Sequence, residues 1–261
     1  MKIIDIDKAH EHDYLVCLED WNDTLKQAKH VKEQWFNEMK AKGLRAKLAL
    51  TDDGAVGGMI EYMPIEYSYA EGKDLYIVNC IWVHGYPEKG VGNVQGKGMG
   101  VALLEAAEQD VKSLGMKGLA AWGISEEFWM TASWYIKHGY QKVDQNKWLI
   151  LVWKPFAPDA VPPKWIKGSF TQELIPGKVK ITSFHSGQCC SENMVYVTAK
   201  SVAQEFGDKV VFEEIRMNNP ENIKKYGLNT GLYVNGENLF AGPPPSREQI
   251  KQKIEEYLKS L

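Results

Sequence analysis

Three places in this chain carry residues whose types and spacing could do chemistry. The first is Gln95-Gly96-Lys97-Gly98-Met99-Gly100. A glycine-rich turn that opens a helix leaves backbone N–H groups unpaired at the positive end of the helix dipole, a cradle for anions and above all for phosphate. The second is Tyr135, within Ala132-Ser133-Trp134-Tyr135-Ile136-Lys137-His138-Gly139-Tyr140. A phenol of pKa ~10 is suited to protonating a leaving group of comparable basicity; the alternative is that Tyr135 fills a core beside Trp134. The third is Cys189-Cys190, adjacent thiols just ahead of a helical pattern, where the dipole favours thiolate. Such a pair could act as a nucleophile, close into a vicinal disulfide or offer soft ligands to a thiophilic metal. It could equally mark a loop-to-helix junction with no redox role.

The elements that must position the glycine loop are legible around it. Leu75–Val83 is a continuous apolar run and reads as a strand. Val101, Leu104, Ala107, Val111 and Leu114 recur at three- and four-residue steps, one face of a helix that Gly115 would stop. Two common phosphate motifs do not fit this strand–loop–helix unit. Lys97 is followed by Gly98 rather than Ser or Thr, and no acid-capped second strand follows at the dinucleotide-binding distance.

The spelling Gln-x-x-Gly-x-Gly at residues 95–100 resembles the pyrophosphate loop of the GNAT superfamily of acetyl-CoA-dependent N-acetyltransferases, and residues 132–140 resemble that family's later helix. The resemblance covers roughly residues 1–155. It implies acetyl-CoA as co-substrate and no metal, with acetyl transfer to the amine of a small molecule or peptide by direct attack on the thioester. It also implies a mixed sheet that splays at the strand before the phosphate loop. Gln95 and the backbone of Gly96, Lys97, Gly98, Met99 and Gly100 would take the pyrophosphate, while Ile81, Trp82 and Val83 would offer backbone groups to the pantetheine arm. Tyr135 matches the tyrosine near the coenzyme sulfur, a candidate general acid. Candidates for the base are Glu61 on the third strand, His84, Glu126 and Glu127, of which Glu61 joins Tyr135 in the candidate catalytic set; water-mediated deprotonation would leave no trace in the sequence. Two departures stand out: Phe128 replaces an asparagine that often contacts the coenzyme, and the loop from His84 to Asn93 is longer than usual, which suggests a mobile flap.

At 261 residues the chain can hold one large or two modest domains. Four prolines between Lys154 and Pro163 mark a seam that can sustain neither helix nor central strand. The expected division is a first domain over 1–154, a proline-rich linker or surface strap over 155–177, and a second domain over 178–261. A net charge of −3 without a basic block argues against nucleic acid and against a membrane surface as partners. No apolar run approaches the ~18–20 residues of a spanning helix, the first residues lack a signal-peptide pattern, and four cysteines make no disulfide scaffold. A cytoplasmic location is therefore expected, and homodimerisation is left open.

Past the seam, Val179–Phe184 reads as a strand, Ser191–Phe206 as a helix and Val210–Met217 as a strand. Asn219-Pro220 opens a short helix that Gly227 ends, Asn235-Gly236 turns a hairpin between Leu232–Val234 and Leu239–Ala241, and Ser246 with Gln249 caps a last helix. This β-α-β-α-β-β-α order resembles a thioredoxin-like domain, but its usual Cys-x-x-Cys is here Cys189-Cys190-Ser191-Glu192, and Thr230-Gly231 replaces the usual proline. His185 is a candidate further ligand. The expected fold class is α/β with a mixed sheet, a GNAT acyltransferase fold followed by a thioredoxin-like domain, a fusion that resembles the bacterial YoaP-like acetyltransferases. One alternative is a thiol-redox or soft-metal-binding protein whose first half only binds CoA; another is a non-enzymatic CoA sensor.

Overall fold

The computed structural model describes residues 1–126, 130–227, 230–240 and 242–260. The chain divides into two units, Met1–Trp21 with Asn37–Ile166, and Asn22–Phe36 with Lys167–Leu261. In chain order the elements up to the seam are β1 (Lys2–Asp5), α1 (Glu11–Leu15), α2 (Asp23–Lys40), β2 (Arg45–Leu50), β3 (Val56–Pro64), β4 (Ala70–Glu71), β5 (Leu75–Val83), α3 (Met99–Ser113), β6 (Gly118–Ile124), α4 (Ala132–Lys137), β7 (Gln141–Asn146), β8 (Leu149–Pro155) and β9 (Lys164–Trp165). Residues of α2 through Phe36 group with the second unit.

The first unit is built on a seven-stranded sheet of order β1-β2-β3-β5-β6-β8-β7. Thr51 and Gly54 close the β2–β3 hairpin, with the Thr51 N–H donating to the Ala55 carbonyl at 2.9 Å. β5 and β6 run parallel, and their pairing extends only from Leu75 opposite Gly118 to Val78 opposite Ala121. Beyond that point the two strands separate. A bulge lies at the same level: Glu61 of β3 faces Cys80 and Tyr62 faces Val78, which leaves Asn79 as the extra residue in β5. The Trp122 indole spans from β6 to the Asn79 carbonyl at 3.0 Å.

Helix α3 covers one face of this sheet. Its buried stripe is Met99, Leu103, Leu104, Ala107 and Val111, packed with Ile60, Tyr62, Val78, Leu119 and Ala121. The expected stripe is thus displaced at its ends, since Leu103 is buried while Leu114 lies 39% exposed past the last turn. Asp110 fastens the helix to the sheet. Its carboxylate receives both ends of the Arg45 guanidinium fork, with Nη2 at 2.8 Å, and the Tyr62 hydroxyl at 2.5 Å.

The second unit adds β10 (Val179–His185), α5 (Cys190–Glu205), β11 (Val210–Arg216), α6 (Pro220–Tyr226), β12 (Gly231–Val234), β13 (Glu237–Asn238) and α7 (Arg247–Ser260). Its sheet has the order β11-β10-β12-β13, with β10 and β11 parallel and the other pairs antiparallel. The core joins Val179, Ile181, Val195, Ala199, Val202, Leu232, Ile250 and Ile254. The local signals act as read. Asn219 accepts from the Glu221 N–H, Gly227 takes φ +60°, and Ser246 and Gln249 exchange reciprocal capping bonds. Asn235 and Gly236 both have positive φ, so the two-residue turn sets Glu237 directly opposite Val234 and β13 begins there, earlier than Leu239. Ala241 and Leu261 lie outside the described residues. Trp35 and Gly187 approach so closely that a Cβ at Gly187 would come within 2.7 Å of the Trp35 Cβ, which ties the first part of α2 to the turn before α5.

The 155–177 segment makes specific contacts at Lys164–Trp165 and at Gln172. In the first unit β9 pairs antiparallel with β4, Trp165 stacks on Tyr69 at 5.5 Å, and the Trp165 N–H donates to Asp144. In the second unit the buried Gln172 donates to Thr182 Oγ1 at 2.7 Å and accepts from the Gly236 N–H at 2.5 Å.

Two stability predictions follow from charges held in these units. Burial raises the Asp110 pKa, but the hydrogen bonds from Arg45 and Tyr62 more than offset it and hold the carboxyl below the usual range. Its stabilisation is complete above the ordinary carboxylate pKa and lost as pH falls through the lowered value. Asp110→Ala should cost about 2–4 kcal/mol in denaturant titration at pH 7 and remove that acid-side decline. In the second unit, burial pushes the Glu192 carboxyl from 4.5 up to about 7. The folded state then favours the neutral acid, so stability should decline between pH 4.5 and 7 as Glu192 is forced to ionise. Glu192→Gln should remove this slope and raise stability at pH 8 by about 2–3 kcal/mol.

Candidate active site

Where β5 and β6 separate, the first unit opens a cleft of about 720 Å³. One wall is the end of β5, at Ile81, Trp82 and Val83. The floor of the mouth is the loop and first turn of α3, at Gln95, Gly96, Gly98, Met99, Gly100 and Val101. The far wall is the segment after β6, at Met130, Thr131, Trp134, Tyr135 and His138. That far wall is held to the sheet by the Ile124 N–H, which donates to the Met130 carbonyl at 2.9 Å, and by a bridge between Ile124 and Thr131.

The glycine loop earns its composition at two positions. Gly96 has φ +74° and Gly98, the N-cap of α3, has φ +78°, a region unfavourable to residues with a Cβ. Gln95 locks the loop to the strand through Nε2, which donates to the Val83 carbonyl at 2.9 Å. Met99 packs its sulfur against Gly57 and Gly58 of β3, whose Cβ positions would lie 3.2 Å from it. No side chain caps α3 and no acid lies in its first turn, so the positive end of the dipole meets the cleft without a protein counter-charge. Lys97 is exposed at the loop tip and does not line the cleft; its charge acts on Asp52, whose pKa it helps to lower.

Tyr135 is 1% exposed, edge-on to Trp134 and Tyr140, and its hydroxyl is buried with no hydrogen-bond partner. Burial, with a smaller contribution from the neighbouring Cys80 thiol, pushes the phenol well above its ordinary pKa. Within this wall, His138 Nδ1 donates to the Trp134 carbonyl at 2.7 Å, and the two rings lie 4.5 Å apart.

The base candidates lie elsewhere. Glu61 is wholly buried and accepts from the Tyr14 hydroxyl at 2.5 Å. Strand alternation turns it away from the face on which Ile60 and Tyr62 meet α3, and it does not line the cleft. His84 is 1% exposed, and its Nδ1 is bonded to the Gly92 carbonyl at 2.6 Å. Glu126 is exposed and outside the cleft lining, while Glu127 and Phe128 lie outside the described residues. The loop from His84 to Asn93, expected as a flap, is fastened by that histidine and by the Val94 N–H, which donates back to the His84 carbonyl at 3.0 Å. Sequence reasoning missed Trp134 and His138 as cleft residues. Their spacing, four apart on either side of Tyr135 with His138 as the C-cap of α4, is the signal that could have found them.

In the second unit Cys189 is the half-buried N-cap of α5 and Cys190 is buried at 1% exposure; both are thiols, as are Cys17 and Cys80. His185 is engaged through Nε2 with Glu214 at 3.1 Å and stacks on Tyr196 at 3.9 Å, and burial lowers its pKa. Among the described residues no group of three or more His, Cys, Asp or Glu side chains could hold a metal ion. No helix among them is long and apolar enough to cross a membrane.

No protein-family model and no curated protein sequence matches this chain. Similar solved structures include the PaiA N-acetyltransferase from Thermoplasma acidophilum in complex with coenzyme A, at 16% identity over 60% of this chain and 100% of that one, with a TM-score of 0.43. A GNAT family acetyltransferase from Brucella melitensis in complex with acetyl-CoA is 15% identical over 62% of this chain and 90% of that one, with a TM-score of 0.41. A ribosomal-protein-alanine N-acetyltransferase from the same organism is 18% identical over 59% of this chain and 97% of that one, with a TM-score of 0.42.

Proposed function

We propose that the first unit is an N-acetyltransferase of the GNAT type that uses acetyl-CoA, and that the second is a thioredoxin-like domain. The observation that carries the first half is the convergence, in one cleft, of an uncapped helix N-terminus with two positive-φ glycines and a buried, unpartnered tyrosine hydroxyl. The strand order β11-β10-β12-β13, with its one parallel pair, supports the second half.

Acetyl-CoA would supply the thioester that is transferred. The N–H groups at the start of α3 would hold its pyrophosphate, with Lys97 adding charge at the rim. The edge of β5 from Ile81 to Val83, left without a strand partner on the β6 side, would offer backbone groups to the pantetheine arm. As the amine nitrogen bonds to the carbonyl carbon and the carbon–sulfur bond breaks, negative charge collects on sulfur. A phenol pushed well above its ordinary pKa stays protonated through the working range, so Tyr135 would stabilise that sulfur by donating a hydrogen bond rather than by giving up its proton outright. The proton lost by the attacking amine would leave through water, since Glu61 is sealed beneath Tyr14.

Two variants test the reading. Gly98→Glu places a carboxylate at the N-cap, where phosphate is expected, and should abolish acetyl-CoA binding in titration calorimetry while the fold persists; wild-type affinity in a folded Gly98→Glu protein would refute the phosphate loop. Tyr135→Phe should lower kcat by about 10²–10³-fold with acetyl-CoA affinity nearly unchanged. An unchanged kcat with a lower melting temperature would assign Tyr135 to packing alone.

A further inference from the structure

The gap between β5 and β6 is barred, just beyond its apex, by a side chain to which the reaction above gives no part. Pairing of the two strands ends at Val78 and Ala121, and the next residues along them are Asn79 and Trp122. The Trp122 indole crosses from β6 to β5, where Nε1 donates to the Asn79 carbonyl at 3.0 Å. A side-chain donor thus satisfies a carbonyl that the ladder would otherwise have paired.

The indole is backed on the side away from the cleft. Strand alternation sets Trp122 on the face opposite α3, since Leu119 and Ala121 pack in the core with that helix. On that face Tyr69 meets it edge-on at 6.5 Å, and Tyr69 is itself stacked on Trp165 at 5.5 Å. Trp165 is fixed in turn by the β4–β9 pairing and by its N–H bond to Asp144 at 2.9 Å. The other side of β6 is equally close. A Cβ at Gly123 would lie 2.6 Å from the Ala132 nitrogen, so the start of α4 presses directly on the strand.

The reacting end of the coenzyme falls beside this bar. In the acetyl-transfer reading the Tyr135 hydroxyl marks the position of the sulfur, and it neighbours Cys80, the residue after Asn79. A strand rises ~3.3 Å per residue, so about one residue of β5 separates the level of the sulfur from the Trp122–Asn79 bond.

We infer that Trp122 sets the length of acyl group the cleft accepts, admitting acetyl and turning away butyryl and longer chains; the inference rests on the acetyl-transfer reading. An acetyl group fits within that rise. Each further methylene runs toward an indole pinned at its edge by Asn79 and supported from behind by Tyr69. Overfilling such a site forces side chains out of their rotamers, which is unfavourable.

The test titrates CoA, acetyl-CoA and butyryl-CoA calorimetrically into the full chain without an acceptor. The wild type should bind butyryl-CoA at least about tenfold more weakly than acetyl-CoA. Trp122→Ala should bring the two within about threefold and leave the affinity for CoA, which carries no acyl group, unchanged. Trp122→Leu, which keeps apolar bulk on β6 but cannot reach Asn79, should narrow the difference in the same direction and serves if Trp122→Ala does not fold. Equal affinity of the wild type for both thioesters, or a preference for acetyl-CoA that persists undiminished in the folded variants, would overturn the inference while CoA binding keeps the acetyl-transfer reading standing. Failure of CoA itself to bind the wild type would instead sink that reading, and the inference with it.

Discussion

The separation of β5 from β6 is the constraint on which the first unit depends. Pairing stops after Val78 and Ala121, and the extra residue Asn79 bends β5 at the same level. A sheet that simply continued would satisfy those backbone groups internally and leave no room between the strands. Because it stops, the end of β5 keeps an unpaired edge on that side, and Tyr135 reaches the opening from α4. The Trp122 indole, donating to the Asn79 carbonyl, compensates one of the groups that the divergence would orphan.

The contacts around the opening hold the start of α3 in place. The N-terminus of α3 faces the cleft because the helix is fixed at its far side, where Asp110 binds Arg45 and Tyr62. It can come close because Gly57 and Gly58 let Met99 settle on β3. At the loop before α3, Gln95 and His84 convert a glycine-rich, nominally pliant stretch into one with defined contacts to β5 and to itself.

Much of this was legible in the residues. The limits of β5 follow from its apolar run, and the caps at Asn219, Gly227 and Ser246 act where their side chains and φ values require. Glu61 illustrates what was not legible: a strand acid beside a bulge could face either side, and only the register with Cys80 and the Tyr14 hydroxyl decide it. Segment 155–177 reads as a linker or surface strap from its prolines alone, whereas the pairing of β9 with β4 and the bonds of Gln172 depend on partners distant in sequence. The grouping of Asn22–Phe36 with the second unit has the same origin, since nothing in the helix pattern announces the contact of Trp35 with Gly187.

The central claim is that the start of α3 is a pyrophosphate site. It is tested most directly by comparing acetyl-CoA with S-acetylpantetheine, which keeps the thioester arm and lacks every phosphate, in titration calorimetry at fixed ionic strength. The account predicts that removing the phosphates weakens binding by at least about 100-fold, in line with the loss of several charge-assisted hydrogen bonds. Comparable affinity for the two compounds, or failure of acetyl-CoA to bind at all, would contradict it.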